Sequence, residues 1–427
     1  MGSGDLESSA LIDEVRALLR RGAVNEAEVR VAHRVARAPE NADGWYLRGV
    51  IANRRRDHSA AIDALRRALA IRPDAALAWL ALGTAFARSN APSEAANAYR
   101  RALEHEPAWA DAHLNLGLVL KQLGDRVGAI RALHAAWVRD PMLFDAAKQC
   151  VGAIAEHVRR ADAQQASPAR VATAARPSFT VVVCSIDASK CERAVALYRR
   201  LLDGFPHDIV AIRNPRSLAE AYNDAARASR AQLIVMSHDD VDVLAGDFSS
   251  RVAELLTTKF DVVGVVGSTR MDGPAIGWSG HPHLHGWITH RVPGDSAWRV
   301  DVLHPSPVAD GIAMLDGVIL AARRDVLSAV PFDSRTFDGF HLYDLDWGYR
   351  AAQAGFRLGV VGELILVHAS RGNYGATWER YAARFCAKHD AGRVAAAAST
   401  FFGATLESAD QVRAFFCMLG ELSRAAA

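Results

Sequence analysis

The sequence predicts a multidomain protein in which an all-α repeat solenoid is followed by an α/β domain with a mostly parallel sheet. Two observations predict this fold class. Proline recurs every 34 residues, at Pro39, Pro73, Pro107 and Pro141, and a fixed period of this length is the signature of stacked helical repeats. After residue 178, apolar runs rich in β-branched residues alternate with helical patterns, which favours parallel strands joined by right-handed crossovers.

These patterns divide the chain into four predicted segments. They are a repeat region with a capping helix, a linker rich in small residues and proline, the α/β domain and a set of C-terminal helices, at 1–165, 166–178, 179–390 and 391–427. The chain has 427 residues, of which 50% are hydrophobic. That is enough apolar material for more than one core.

Charge and composition argue against several classes of protein. Lys and Arg together number 50, against 48 for Asp and Glu, and this balance makes nucleic acid an unexpected partner. No apolar run is long enough to span a membrane, and the amino end lacks the basic and apolar regions of a signal peptide. The five cysteines form no Cys-x-x-Cys pair, which favours reduced thiols. We therefore expect a cytoplasmic protein.

Other residues recur between the prolines of the repeat region. A large residue, a glycine and an alanine keep the same spacing in three sets: Trp45, Gly49 and Ala61; Trp79, Gly83 and Ala95; and His113, Gly117 and Ala129. Small residues let two helices approach closely, and proline ends a helix because it cannot continue the hydrogen-bond ladder. The pattern resembles the tetratricopeptide repeat. It predicts repeats that start near residues 42, 76 and 110, a degenerate first repeat, and a capping helix at about 142–160.

The resemblance to tetratricopeptide repeats implies a concave surface, made by the first helix of each repeat, that holds a peptide or a partner protein. A rigid spacer or a dimerisation element is the open alternative. The first helices carry a polar mixture without strong charge bias, at Arg48, Asn53, Asn115 and Lys121. The residue types on this surface do not identify its ligand.

In the α/β domain, predicted strands and helices alternate at 179–185, 191–202, 208–212, 218–229 and 233–236. The last of these strands ends in a histidine and three carboxylates, at His238, Asp239, Asp240 and Asp242. Ligands bind at the carboxyl edge of an open sheet, and clustered carboxylates repel one another unless a cation lies between them. The stretch predicts a divalent metal that holds a phosphorylated substrate. A solvated acidic turn is the alternative.

Three further stretches give the domain a resemblance to a known family. They are Ser217-Leu-Ala-Glu-Ala-Tyr-Asn running into His238-Asp-Asp-Val-Asp242, Asp316-Gly-Val-Ile-Leu-Ala-Ala-Arg, and Tyr343-Asp-Leu-Asp-Trp-Gly-Tyr-Arg350 followed by Val367-His368. Over roughly 179–389 the chain resembles family 2 type glycosyltransferases of the Rossmann-like GT-A fold, in particular the streptomycin-biosynthesis-type glycosyltransferase-like domain. The resemblance implies a nucleotide diphosphosugar donor, with a UDP-sugar favoured, and a divalent metal.

The same resemblance implies a set of metal ligands. Asp240 stands at the last position of the family's Asp-x-Asp motif and is the expected metal carboxylate, with Asp239 and Asp242 as alternatives. His238 departs from the pattern because it occupies the place of the first aspartate. His368 matches a further ligand position, although a strand-end histidine bonded to the backbone is the alternative. Imidazole ligands favour Mn²⁺ over Mg²⁺, so we expect manganese to be preferred.

The catalytic residue implied by the resemblance is Asp344, which aligns with the family's catalytic aspartate and would deprotonate the acceptor hydroxyl. Tyr343 replaces the usual glutamate before it. A helix N-cap is the alternative role for Asp344. Asp346 and Arg350 are four residues apart on the helix that begins here, which favours a structural pair.

Contacts with the donor and acceptor are expected from further residues, by analogy with the family. Donor contacts are assigned to Asp187, Asn223, Asp239, Asp242, Asp316 and Gly317, and acceptor contacts to Trp278, Trp287 and His341. The two tryptophans lie in a stretch predicted to be a loop, 277–290, where either could stack on a sugar ring. Alternating histidines at 281, 283 and 285 leave a zinc site as the alternative for this stretch.

Together these features predict a metal-dependent, inverting glycosyltransferase of the hexosyl- or N-acetylhexosaminyltransferase type, with a protein or peptide acceptor recruited by the repeats. A glycan or lipid-linked saccharide acceptor, with repeats used for assembly, remains an alternative. So does a non-catalytic repeat scaffold that only binds a sugar nucleotide. The C-terminal helices, with Phe401, Phe402, Phe415 and Phe416, are predicted to form a lid or the contact of a homo-oligomer.

Overall fold

The structure is a computed structural model of the chain. It describes residues 3–160, 176–292, 296–370, 374–391 and 401–426. The chain divides into two compact units, Met1–Ala153 and Ile154–Ala427. Most of the predicted linker lies outside the described residues. Within the described residues, no helix is both long enough and apolar enough to cross a membrane.

From residue 3 to residue 160, a range that extends seven residues past the end of the first unit, the chain is built from helices that pair in sequence order. The helices are α1 (Ser3–Arg20), α2 (Val24–Arg37), α3 (Ala42–Arg54), α4 (His58–Ile71), α5 (Ala76–Arg88), α6 (Pro92–His105), α7 (Ala110–Gln122), α8 (Arg126–Arg139) and α9 (Phe144–Arg160). Helices α3, α5 and α7 begin at the three residues predicted to start repeats. The sequence period therefore located the helical pairs correctly.

The recurring residues of the repeats contact one another within each helical pair. A Cβ atom added at Gly49 would lie 2.5 Å from Cγ of Leu65, and one added at Gly83 would lie 2.6 Å from Cε1 of Tyr99. These glycines are therefore required for the close approach of the two helices. The ring of Trp45 donates a hydrogen bond of 2.8 Å to the carbonyl of Pro39, and the same bond recurs one period later.

The second unit contains two β-sheets with helices packed against them. The strands are β1 (Phe179–Ser185), β2 (His207–Arg213), β3 (Leu233–Ser237), β4 (Val241–Val243), β5 (Val262–Gly264), β6 (Val266–Ser268), β7 (Leu284–Arg291), β8 (Trp298–Val302), β9 (Val308–Ala309), β10 (Met314–Leu315), β11 (Ile319–Arg323), β12 (Leu358–Val361), β13 (Leu366–His368) and β14 (Phe402–Leu406). The helices are α10 (Ala188–Leu201), α11 (Leu218–Ala228), α12 (Phe248–Thr258), α13 (Arg324–Ala329), α14 (Tyr343–Gln353), α15 (Ala376–His389) and α16 (Ala409–Ala426).

The sheet that contains β1, β2 and β3 is mixed and not mostly parallel, which corrects that detail of the predicted fold class. Among the described residues its strand order is β2-β1-β3-β11-β5-β12-β9. Strands β1, β2 and β3 are parallel, as predicted, but β11 runs antiparallel to both of its neighbours. The turn at 316–318 lies beside the carboxyl end of β3, where the His238 N–H donates to the carbonyl of Val318. Strand β11 starts at that edge and must run back along β3.

The second sheet joins β10, β6, β7, β13 and β4, with β8 and β14 added beside β7. The prediction of helices alone after residue 391 is wrong, because Phe402 begins β14, which pairs antiparallel with β8. Helix α16 follows, and Phe415 and Phe416 on it are buried. These two rings contribute to the core of the unit, so they are not exposed for a lid or an oligomer contact.

Candidate active site

The carboxyl end of β3 is joined to the end of β13 by the short strand β4. Val241 in β4 pairs with His368 in β13, and the Ala369 N–H donates a hydrogen bond of 3.0 Å to the carbonyl of Asp240. This pairing fixes the backbone on both sides of the predicted acidic stretch. It brings His368 next to a side chain that lies 128 residues earlier in the chain.

His238, Asp240 and His368 form a compact group at this position. One potential ligand atom from each residue lies within 4.8 Å of the other two. Nε2 of His368 is 3.3 Å from Oδ1 of Asp240, and the rings of the two histidines are 5.6 Å apart between centroids. Within the described part of the chain, no other group of three metal-ligating side chains meets this spacing.

The protonation states of Asp240 and His238 suit a metal ion. Burial disfavours the charged form of Asp240, but the hydrogen bond and charge of His368 outweigh it and lower the pKa of the carboxyl group. Burial also lowers the pKa of His238, as does the nearby charge of His368. Metal ligands must be ionised carboxylates and neutral imidazoles. Two nitrogens and one oxygen suit a divalent transition-metal ion, and three protein ligands would leave positions open for a substrate.

Asp344 lies in the first turn of α14, and its carboxyl group is held by the backbone of the 316–318 turn. The Gly317 N–H donates to Oδ2 of Asp344 over 2.6 Å. A Cβ atom at Gly317 would lie 2.6 Å from the same oxygen, so only glycine permits this contact. The N-cap position of α14 is occupied by Leu342, so the alternative role of Asp344 as N-cap is wrong.

The electrostatic environment of Asp344 favours a protonated carboxyl group near neutral pH. Burial raises its pKa to about 7, and the neighbouring charge of Asp316 acts in the same direction. Asp316 itself accepts a hydrogen bond from the Val318 N–H. A carboxyl group whose pKa is near the working pH can act as a general base. By contrast Asp346, two residues later, is fully buried and bonded to Arg350, which supports the predicted structural pair.

The remaining aspartates predicted to contact the donor differ in their environments. Oδ2 of Asp239 accepts a hydrogen bond of 2.6 Å from Ser185 at the end of β1. Asp187 is exposed and caps α10 by accepting the N–H of Lys190. Asp242 is exposed as well. Asp239 and Asp187 therefore lie along the edge formed by β1 and β3, where a donor contact remains a prediction for each.

The prediction that Asn223 contacts the donor is not supported by its geometry. Its side chain is 7% exposed. The amide nitrogen donates to the carbonyl of Phe332, and the amide oxygen accepts from the Phe332 N–H, each over 2.9 Å. Both polar ends of the side chain are thus engaged with one backbone unit. Asn223 joins α11 to the segment before α14.

The three residues predicted to contact the acceptor also differ in their burial. Trp287 is 1% exposed, donates to the carbonyl of His304 and stacks on Phe416 at 5.4 Å. It belongs to the core because 284–291 form strand β7 and not a loop, so its predicted acceptor role is wrong. Trp278 is half-buried. His341 is half-buried too, with its ring 6.1 Å from that of Tyr381, and its acceptor role stays a prediction.

Two aromatic residues that the sequence did not single out lie next to Trp278. The ring of Trp378 is 6.4 Å from that of Trp278, and the ring of Tyr374 is 5.3 Å from that of Trp378. Tyr374 is 66% exposed. Partial burial of its hydroxyl raises its pKa, and the charges of Asp316 and Asp344 raise it further. No periodic signal marks these residues, because their proximity depends on the placement of α15.

The zinc alternative for the histidines at 281, 283 and 285 is not supported. Nδ1 of His283 is 3.0 Å from the hydroxyl of Thr269. His285 stacks near His304, with 4.4 Å between the ring centroids. Burial lowers the pKa of His285 to about 4 and that of His304 to about 3. Among the described residues, the three histidines at 281, 283 and 285 do not form a group whose ligand atoms lie close enough together to hold one metal ion.

Family comparisons agree with the two units. Residues 180–389 match the model of the Glycosyltransferase like family, and residues 12–76 and 80–141 match that of the Tetratricopeptide repeat. No curated protein matches the chain significantly.

Several solved structures share a limited similarity with the chain. MamA (41-end) from Desulfovibrio magneticus RS-1 is 19% identical, with 37% of this chain and 87% of that one covered and a TM-score of 0.33. PilF of Pseudomonas aeruginosa is 20% identical, with 36% and 70% covered and a TM-score of 0.34. YrrB, described as a TPR protein with an unusual peptide-binding site, is 20% identical, with 35% and 77% covered and a TM-score of 0.31. TM-scores this low carry no argument about function.

The matches to the two family models show that the chain carries tetratricopeptide repeats over 12–141 and a domain of the Glycosyltransferase like family over 180–389.

Proposed function

We propose that the chain is a metal-dependent, inverting glycosyltransferase that moves a hexosyl or N-acetylhexosaminyl group from a nucleotide diphosphosugar, with a UDP-sugar as the favoured donor, to an acceptor hydroxyl. One observation carries this proposal. The ligand group of His238, Asp240 and His368 lies at the same sheet edge as Asp344, whose carboxyl group is bonded to Gly317 and has a raised pKa.

Asp344 is the proposed general base. Its carboxylate takes the proton of the acceptor hydroxyl while the acceptor oxygen forms a bond to C1 of the sugar. The bond between C1 and the diphosphate oxygen breaks in the same displacement, so the configuration at C1 inverts and the diphosphate leaves with the electron pair. The Gly317 N–H donates to Oδ2 of the carboxyl group and so restricts its orientation, which favours a fixed geometry for proton transfer.

His238, Asp240 and His368 are the proposed metal ligands, with Mn²⁺ preferred over Mg²⁺ because two of the three are imidazoles. A bound divalent cation neutralises the charge that develops on the leaving diphosphate. Two of the three ligands are already in the form that binds a metal ion, because Asp240 is ionised and His238 is neutral at physiological pH.

The acceptor is proposed to be a protein or peptide that the repeats recruit. The match to tetratricopeptide repeats supports this, since such arrays bind peptides on the surface of their first helices. Helix α7 is a first helix and carries an apolar side chain that is exposed, Leu118 at 40%. An exposed leucine on the expected binding face is suited to an apolar side chain of a partner.

The donor proposal is tested by incubating the full chain with UDP-, GDP- and TDP-sugars, with Mn²⁺ or Mg²⁺, and measuring release of the nucleotide. We expect turnover with a UDP-sugar and Mn²⁺, and its loss in Asp344→Asn while nucleotide binding persists. Binding without turnover for any donor, even with candidate acceptors present, would favour a non-catalytic scaffold and contradict the proposal.

The acceptor proposal is tested with a matched pair of surface variants. Leu118→Glu places a charge on a first helix, and Val127→Glu places one on α8, a second helix, at a position of similar exposure, 38%. We expect Leu118→Glu to abolish transfer to protein acceptors from a cell extract and to leave donor hydrolysis unchanged, while Val127→Glu affects neither. Equal transfer by both variants would instead favour a glycan or lipid-linked acceptor.

A further inference from the structure

Tyr343 connects the candidate metal ligands to the start of α14. Its hydroxyl lies 3.4 Å from Nε2 of His238, a residue 105 positions earlier in the chain. Tyr343 directly precedes Asp344. One side chain therefore contacts the ligand group at the end of β3, while its own backbone carries the proposed base.

The position of the Tyr343 hydroxyl is set by tight packing around its ring. Tyr343 is 2% exposed, and its ring packs against those of Tyr222 and Phe332, at 5.8 Å and 5.9 Å between centroids. Trp347, one turn further along α14, stacks on Phe332 at 4.7 Å. A buried hydroxyl is costly without a hydrogen-bond partner. The imidazole of His238 lies within hydrogen-bond distance of this hydroxyl, so the contact also orients the imidazole ring.

The contact also distinguishes the two nitrogens of His238. A neutral imidazole has one nitrogen that donates and one that accepts, and the Tyr343 hydroxyl can do either. A metal ion on Nδ1 therefore requires that Nε2 carry the proton and donate it to the hydroxyl oxygen. Because Nε2 is engaged by Tyr343, Nδ1 is the nitrogen that remains for a metal ion. Histidine ligands in metal sites are commonly held in this way by a hydrogen bond at the second nitrogen.

We infer that Tyr343 is a positioning residue whose hydroxyl holds the His238 imidazole in the orientation and tautomer that direct Nδ1 toward the site shared with Asp240 and His368. The inference rests on the proposed metal site. In this role Tyr343 contacts neither the donor nor the acceptor. Its hydroxyl links the ligand group to the start of α14.

The test uses the full chain, stripped of metal, and titration with Mn²⁺ followed by electron paramagnetic resonance. Tyr343→Phe keeps the ring and its packing but removes the hydroxyl. We expect the Kd for Mn²⁺ to rise about tenfold or more, as for other partners of metal-binding histidines. Tyr198→Phe is the matched control, because Tyr198 is equally buried and donates to Ser237, beside the ligand group but not within it. This control should keep the wild-type Kd.

A second background shows whether Tyr343 acts through His238. In His238→Ala, the additional change Tyr343→Phe should leave the Kd for Mn²⁺ unchanged, because the residue that Tyr343 positions is gone. An equal loss in both backgrounds, or a wild-type Kd in the single variant, would overturn the inference.

The metal-free protein provides a readout that does not depend on the proposed function. Imidazole ¹⁵N chemical shifts report the tautomer of His238, whose signal is identified by its absence in His238→Ala. We expect one tautomer in the wild type and a shifted, mixed signal in Tyr343→Phe. If the wild type binds no Mn²⁺, the proposed metal dependence fails, and these shifts alone decide the role of Tyr343. Unchanged shifts would then refute it.

Discussion

The Asp344→Asn variant tests the proposed base with little change of shape. The amide oxygen of asparagine can still accept the hydrogen bond that the Gly317 N–H donates to Asp344 over 2.6 Å. What the variant loses is the capacity to take a proton. Loss of a general base lowers the rate about 10²–10⁴-fold, equivalent to about 3–5 kcal/mol in the activation barrier.

The assay is release of the nucleotide during sugar transfer, measured as kcat/KM from about pH 5 to about pH 9. Because burial raises the pKa of Asp344 to about 7, the wild type should gain activity with rising pH and reach a plateau above about pH 7. The residual activity of Asp344→Asn should lack this acidic limb. A variant with wild-type kcat/KM, or with an unchanged acidic limb, would refute the assignment of Asp344 as the base.

The same pKa shift predicts the effect of Asp344 on folding stability. Its folded pKa of about 7 lies above the ordinary value of 3.8, so the folded protein holds this proton more tightly than the unfolded chain. That contribution is fully present below about pH 4 and is lost as the pH rises through about 7, with an upper limit of about 4 kcal/mol. Metal-free Asp344→Asn should therefore melt at or above the wild-type temperature at pH 8, with a smaller advantage at pH 5. If the difference in stability between the variant and the wild type favoured the variant less at pH 8 than at pH 5, the predicted effect of Asp344 on stability would be contradicted.

Four other substitutions distinguish residues of the proposed site from residues that only stabilise the fold. Asp240→Asn should weaken Mn²⁺ binding at least about tenfold, because replacing even a residue that only hydrogen-bonds to a metal ligand typically costs that much. Asp242→Asn, at an exposed position, should leave Mn²⁺ binding unchanged. A titration with Mn²⁺ monitored by electron paramagnetic resonance compares the two variants. Asn223→Ala should destabilise the protein by roughly 1–3 kcal/mol for each buried backbone group left unpaired, as measured by urea unfolding, and a selective rise in donor KM without loss of stability would restore the donor role. Trp287→Ala should cost about 3–5 kcal/mol of stability. A change confined to acceptor KM would show that this residue is not in the core.

Much of the fold was accessible from the sequence, because it depends on local patterns. The repeats begin at residues 42, 76 and 110 as predicted, since each helical pair buries its apolar face through contacts only 16 residues apart, such as Gly49 with Leu65. The strands β1, β2 and β3 were also located to within one or two residues, because continuous apolar runs mark them. The acidic stretch after β3 was recognised from residue type alone.

The antiparallel course of β11 was not accessible, because it depends on where the chain re-enters the sheet. The roles of single side chains were similarly hidden. Asn223 and Trp287 have the residue types of a binding site, but their partners, Phe332 and Phe416, lie more than 100 residues away and bury them.

The sequence by itself determined the two kinds of unit and the residue types at the candidate site, because helix and strand patterns and the acidic stretch are local. Only the tertiary structure decided which of those residues meet. Strand β13 brings His368 to Asp240, the 316–318 turn fixes Asp344, and α14 places Tyr343 against His238. Burial, pKa and hydrogen-bond partner are properties of such long-range contacts, and no local pattern encodes them.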